Sequence, residues 1–133
     1  MMLRSVWILG FVVLLAGCST IDRRPPPAAI AGEHCTLYQS GLASWYGKEL
    51  LGNRTANGEM FDPDGITAAH RTLPFGTKVK VFLDSPKGNP DGVTVRINDR
   101  GPFAHGRIID LSWGAAKELN MMKTMPVRVY KCD

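Results

Sequence analysis

The chain has 133 residues, 44% of them hydrophobic and 21% charged, an ordinary globular mixture with room for one domain. Its 16 Lys and Arg against 12 Asp and Glu give a net charge of +4, but the positive residues are scattered and Arg23 and Arg24 are the only adjacent pair, which excludes nucleic-acid readout. Size and pattern also exclude a multi-domain enzyme, a coiled coil and a polytopic membrane protein.

Residues 1–17 place Arg4 before an apolar run over 6–15 and end in small residues, the pattern of a signal segment too short to span a bilayer as a mature helix. Leu15-Ala16-Gly17-Cys18 resembles the lipobox of bacterial lipoproteins, in which the cysteine is lipidated and becomes the new N-terminus. That resemblance implies lipidation at Cys18 and attachment to the membrane through the N-terminal lipid. Ser19 after the cysteine implies the outer membrane, with the protein facing the periplasm. Removing Cys18 leaves Cys35 and Cys132, an even pair in a compartment that permits disulfides, and they are expected to bond to each other. No second ligand pair accompanies His34 and Cys35, so no metal is expected.

Residues 18–34 contain Arg23-Arg24-Pro25-Pro26-Pro27 and little to bury, so they read as a proline-rich tether. Residues 35–133 form the folded domain, about 100 residues and enough for one core. A short strand is expected over 41–46. The Gly-, Asn- and Asp-rich stretch 47–64 reads as a long surface loop of a length that is usually functional or mobile. Residues 66–69 fit either one helical turn or a short strand. Val79, Val81 and Leu83 alternate with Lys78, Lys80 and Phe82, and Val93, Val95 and Ile97 alternate with Thr94 and Arg96, the period of half-buried strands. Residues 107–111 form another strand, Ser112 caps a helix running to about Leu119, and Val127 and Val129 mark a last strand. Many short strands, Gly/Pro turns and one small helix indicate a small β-barrel.

Five motifs occur in order: Ala43-Ser44-Trp45-Tyr46-Gly47; Thr55-Ala56-Asn57-Gly58-Glu59; residues 67–74, Thr-Ala-Ala-His-Arg-Thr-Leu-Pro; residues 95–103, Val-Arg-Ile-Asn-Asp-Arg-Gly-Pro-Phe; and residues 107–112, Arg-Ile-Ile-Asp-Leu-Ser. Together they closely resemble the rare lipoprotein A (RlpA-like) family over about residues 41–129. The resemblance implies a mainly β fold, a six-stranded double-psi β-barrel of the barwin and expansin type with one or two short helices. It implies a lytic transglycosylase that cleaves the MurNAc-GlcNAc β-1,4 bond of peptidoglycan glycan strands with formation of a 1,6-anhydro end, in wall remodelling or division. Cell-wall or division proteins are further candidate partners, and no cofactor is expected. The alternative is a non-catalytic peptidoglycan-binding or expansin-like wall-loosening lipoprotein that uses the same groove.

A lytic transglycosylase needs one well-placed carboxylate, because the muramyl 6-hydroxyl attacks internally and the same group serves as acid and then base. The family's acid falls on Asp99, the Glu and Asp of its loop on Glu59 and Asp62, and its His on His70. Asp99 stands at a strand end before a turn forced by Gly101-Pro102, and is the expected general acid/base; a turn aspartate paired with Arg100 is the competing reading. Asp110 is the runner-up, with a buried structural role as its alternative. His70 is expected to bond a carboxylate. Tyr46 and Phe61, flanking the long loop, are expected to line the groove, and Asn57 and Arg100 to contact substrate. The remaining aromatics are assigned mainly to the core, and His105 to a solvated loop.

Overall fold

The computed structural model describes Pro27, Ile30 and residues 33–133. The expected signal segment, the expected lipidation site Cys18 and most of the expected tether lie outside the described residues. Six strands form, β1 (Cys35–Tyr46), β2 (Thr67–His70), β3 (Lys78–Leu83), β4 (Val93–Asp99), β5 (Arg107–Ser112) and β6 (Met125–Cys132), with alternating valines in β3, β4 and β6, together with one helix, α1 (Trp113–Glu118), and a 3₁₀ turn at Lys48–Leu50. They close into a barrel in the order β1-β5-β2-β4-β3-β6. The β1–β5 and β2–β4 pairs are parallel, and the other pairs are antiparallel.

Val79, Val81, Val95, Ile97, Ile109, Leu111, Val127 and Val129 fill the interior at 0–1% exposure, joined by Ala115 and Ala116 of α1. Each such aliphatic side chain contributes about 1.5–3 kcal/mol on leaving water. Ser112 caps α1 as expected, its Oγ accepting from Ala115 N at 3.2 Å. The same hydroxyl accepts from Thr67 N at 3.3 Å and donates to Gly65 O, tying the helix start to the entry of β2. The disulfide joins Cys35 to Cys132 across 97 residues, fastening the first residue of β1 to the last of β6.

Two local expectations are corrected and one open alternative is resolved. β1 starts at Cys35 rather than at residue 41, because residues 35–40 pair with β6 although their side chains show no clean alternation. The alternative left open for residues 66–69 resolves as a strand, β2, and it is buried throughout. Phe82, on the polar side of the β3 alternation, is 2% exposed because Ile30 and Tyr130 cover that face.

Candidate active site

The site grows from strand register. Ser44 of β1 pairs with Asp110 of β5, Asp110 with Ala69 of β2, and Ala69 with Asp99 of β4, so one rung crosses four neighbouring strands. Ile109 and Leu111 point into the core, so Asp110 between them points out; Ala43 points in, so Ser44 and, two residues on, Tyr46 point out. Strict alternation would send Asp99 inward after Ile97. A register shift opposite Ala68/Ala69 passes over Asn98 and pairs Asp99 with the outward Ala69, a bulge that re-aims the acid. The two carboxyl-bearing backbones thus flank Ala69 at two strand spacings, roughly 10 Å. Ala69, small and 2% exposed, forms the floor between them.

The long loop wraps this outer face. Ala56 N donates to Asp99 Oδ1 at 2.9 Å, and Arg100 N donates to the same oxygen at 2.9 Å. Asp99 Oδ2 meets no donor among the described residues. It therefore engages the Arg100 amide and not the Arg100 guanidinium. Asp110 accepts from Ser44 Oγ through Oδ1, while Oδ2 lies 3.5 Å from Arg107 Nη2, with its side chain 15% exposed. The Tyr46 ring packs on Phe61 at 5.0 Å, and its buried hydroxyl has no hydrogen-bond partner among the described residues. Burial, followed by the negative charges of Asp99 and then Asp110, pushes the Tyr46 phenol well above its ordinary range. The hydroxyl therefore sits in the field of both acids and keeps its proton.

Glu59 forms the clamp of the loop. Its carboxylate takes Arg96 Nη1 at 2.6 Å and Nη2 at 2.9 Å, with Asn57 Nδ2 at 2.8 Å and Asn98 Nδ2 at 3.3 Å. The Arg96 hydrogen bonds first, then that of Asn57, hold its pKa at about 2. Asn57 is itself knitted into the turn, accepting from Thr55 Oγ1 and from Glu59 N at 3.1 Å. Gly58 completes that turn at φ +91°, a conformation that suits glycine.

Several expected site residues stand elsewhere or act otherwise. His70 does not bond a carboxylate: Nδ1 accepts from Thr72 N and Leu73 N, each at 3.1 Å, so Nε2 carries the proton and donates to Gln39 Oε1 at 3.0 Å. Burial, then the charges of Arg100 and Arg71, keep its pKa below the ordinary value, so the ring is a neutral brace for the turn after β2. Arg100 Nη1 donates to His70 O at 3.3 Å and Leu73 O at 2.8 Å, with the guanidinium stacked 3.9 Å above Phe75, so this residue holds backbone rather than reaching into the groove. Asp62 is exposed and accepts from Asp64 N at 3.0 Å, a local turn away from the rung. Phe61 is 5% exposed, wedged beneath Tyr46 and not an open platform. Phe75 and Phe103, assigned to the core, are 42% and 82% exposed. His105 is exposed, as expected. Ser44, Arg96 and Arg107 join the site without having been expected from the sequence. All three lie inside the five motifs, which is the one signal that could have found them. The sole cluster of potential metal ligands among the described residues is Glu33 with Cys35 and Cys132, and the disulfide occupies both sulfurs.

A family model described as lytic transglycolase, of the double-psi β-barrel type, matches residues 38–130. A Synechocystis protein named probable endolytic peptidoglycan transglycosylase RlpA is 58% identical over 83 residues, covering 62% of this chain and 25% of that relative. A Nostoc protein of the same name is 53% identical, covering 77% of this chain and 28% of the relative. A Campylobacter jejuni protein named endolytic peptidoglycan transglycosylase RlpA is 50% identical, covering 67% and 32%. The chain thus spans about a quarter to a third of the length of these relatives. Among solved structures, the Streptomyces papain inhibitor matches with a TM-score of 0.52 at 21% identity, over 72% of this chain and 96% of that one, a likeness of fold alone. Barrel topology, profile match and relatives agree, and the chain belongs to the RlpA-like double-psi β-barrel family.

Proposed function

We propose that this protein is an outer-membrane-anchored lytic transglycosylase that cleaves the MurNAc-GlcNAc β-1,4 bond of peptidoglycan glycan strands. The observation that carries the reading is the outward pair Asp99 and Asp110 across Ala69, with the Tyr46 hydroxyl in the field of both. The names of the relatives, endolytic peptidoglycan transglycosylases, support the substrate and the reaction, and the lipobox ending in Cys18 supports the anchor.

Asp99 is fixed by two backbone amides on Oδ1, which leaves Oδ2 to meet the glycosidic oxygen. The protonated carboxyl gives its proton to the leaving GlcNAc oxygen as the C1–O bond breaks. The resulting carboxylate then takes the proton of the muramyl 6-hydroxyl as its oxygen bonds C1, which closes the 1,6-anhydro ring and restores the acid. Asp110, held by Ser44 and Arg107, faces the oxocarbenium-like charge from the far side of Ala69 and stabilises it. Tyr46 stays neutral, its buried hydroxyl lying in the field of both acids. Glu59, ionised down to about pH 2, is unsuited to proton delivery and instead holds the loop whose Ala56 amide orients Asp99.

The test is mass spectrometry of purified glycan strands after incubation with the oxidised protein. New anhydromuramyl ends should appear, and Asp99→Asn, which keeps an oxygen for both amides, should lower their rate by at least about 100-fold. Binding without new ends assigns the wall-loosening alternative, and glycan left unbound and intact removes both. The anchor is tested by fractionation: Cys18→Ser should move the protein from the membrane to the soluble fraction.

A further inference from the structure

The rung that carries Asp99 and Asp110 uses β1, β5, β2 and β4, which leaves β3 and β6 as the strands on the other side of the closed barrel. Val79, Val81, Val127 and Val129 point into the core, so Lys78, Lys80, Phe82, Arg128 and Tyr130 stand on the outer surface there. A hollow of about 350 Å³ adjoins these strands, its lining including Leu83, Met122 and Met125 together with Lys87 and Lys123. Met122 is 67% exposed, a large apolar side chain held in water next to Lys123. Glu33, 3.7 Å from Lys80 Nζ, and Asp84 and Asp91 oppose this charge, and the cations stay in excess.

The chain also enters the barrel on this side. Ile30 is 4% exposed, seated on Phe82 and Tyr130, and a turn holds it there: Ile30 N donates to Pro27 O, and Glu33 N to Ile30 O, each at 3.1 Å. The chain therefore reaches the outer surface of β3 and β6 by Pro27, nine residues on from Cys18, a span of at most about 30 Å. Arg23 and Arg24 lie within that span, with Asp22 before them. We propose that the outer surface of β3 and β6, with the Met122 hollow beside it, docks on an anionic lipid bilayer, the one that holds the Cys18 lipid. This rests on the anchor reading above for its setting. Lys78, Lys80, Lys87, Lys123 and Arg128 feel the lipid charge within a Debye length, about 8–10 Å, and Met122 enters the headgroup layer. A barrel held in this way turns the Asp99–Asp110 rung away from the lipid.

The test uses the oxidised chain from Ser19 onward, which keeps every described residue, in co-sedimentation with vesicles. One set holds phosphatidylglycerol with phosphatidylethanolamine, the other phosphatidylcholine alone. Binding should require phosphatidylglycerol and fall at least about tenfold when salt is raised from about 0.05 to about 0.5 M. Lys87→Glu with Lys123→Glu should weaken it at least about tenfold. Lys48→Glu with Arg54→Glu, in the loop over the groove and equal in charge change, should leave it nearly as it was. Met122→Trp should add emission that lipids brominated on their acyl chains quench beyond the level seen in the parent. Equal losses from the two charge reversals would mean that net charge, not this surface, draws the lipid, and would overturn the proposal. Absence of binding to phosphatidylglycerol vesicles overturns it as well, and so does release by polyglutamate at matched charge, which would assign the surface to an acidic protein. The anchor is read separately, by fractionating Cys18→Ser after a high-salt wash that strips the docked form, so either reading can fail while the other stands.

Discussion

Glu59→Gln separates charge from hydrogen bonding in the clamp that shapes the site. The depression of the Glu59 pKa from 4.5 to about 2 by Arg96, Asn57 and Asn98 corresponds to about 3 kcal/mol of stability at neutral pH if fully expressed. Water reaches both partners, with the Arg96 and Glu59 side chains 38% and 40% exposed, so screening leaves about 1–2 kcal/mol. The sign follows from a folded pKa below the unfolded one: the contribution is complete above about pH 5 and drains away as pH falls from 4.5 toward 2. Glutamine has no such proton to gain. Urea unfolding of the oxidised protein, followed by tryptophan fluorescence, should show the wild type ahead by about 1–2 kcal/mol at pH 7, and thermal unfolding should show a gap of about 4–8 °C in midpoint for each kcal/mol in a domain of this size. The gap should shrink toward zero by about pH 2.5. Hydrogen exchange at Ala56, whose amide reaches Asp99, should quicken in the variant at pH 7. A gap of constant size from pH 7 to pH 2.5 would refute the reasoning, because the loss could then not be one of charge.

The other predictions concern the second acid, the buried imidazole and the cross-link. Asp110→Asn, which keeps an acceptor for Ser44 but loses the charge opposite Arg107, should lower kcat for anhydro-end formation by about 10–100-fold with KM little changed; a change confined to KM would assign Asp110 to binding. His70 has its folded pKa below 6.5, so the folded state takes up fewer protons than the unfolded one, and stability should decline as pH drops from about 6.5 toward 5. His70→Gln, measured by the same unfolding series, should remove that slope; a slope that survives belongs to another group. Reducing the Cys35–Cys132 bond releases a loop of 97 residues, and the chain-entropy argument gives a loss of about 4–5 kcal/mol in denaturant unfolding with and without reductant. A loss under about 1 kcal/mol would mean that the β1–β6 ladder already restrains the unfolded chain.

How much could be read from the sequence depended on whether a residue's neighbours are near it along the chain. Val79 to Leu83 and Val93 to Ile97 were readable because the barrel buries one face of each strand and so imposes period two. Residues 66–69 fit two readings because a strand buried on both faces, as β2 is, has no alternation to display. The first half of β1 was missed since backbone pairing with β6, not its own side chains, makes it a strand. At the site, both aspartates were found from their motifs, yet the turning of Asp99 to the outer face depends on the bulge at Asn98, which no periodicity reveals. Glu59 reads from its motif as a site acid and not as a clamp, because its partner Arg96 lies 37 residues away. Phe61 reads as a groove-lining aromatic for the same reason: the ring it packs against, Tyr46, arrives by folding.

The antiparallel pairing of Cys35 with Cys132 brings the two ends of the barrel to one point and rivets them there. Tension applied between the segment entering at Cys35 and anything leaving after Cys132 would therefore run through two sulfur atoms and bypass the strands. An oxidised molecule tugged from both sides while gripping a substrate would keep its groove in shape, whereas a reduced one would be peeled open from the β1–β6 seam.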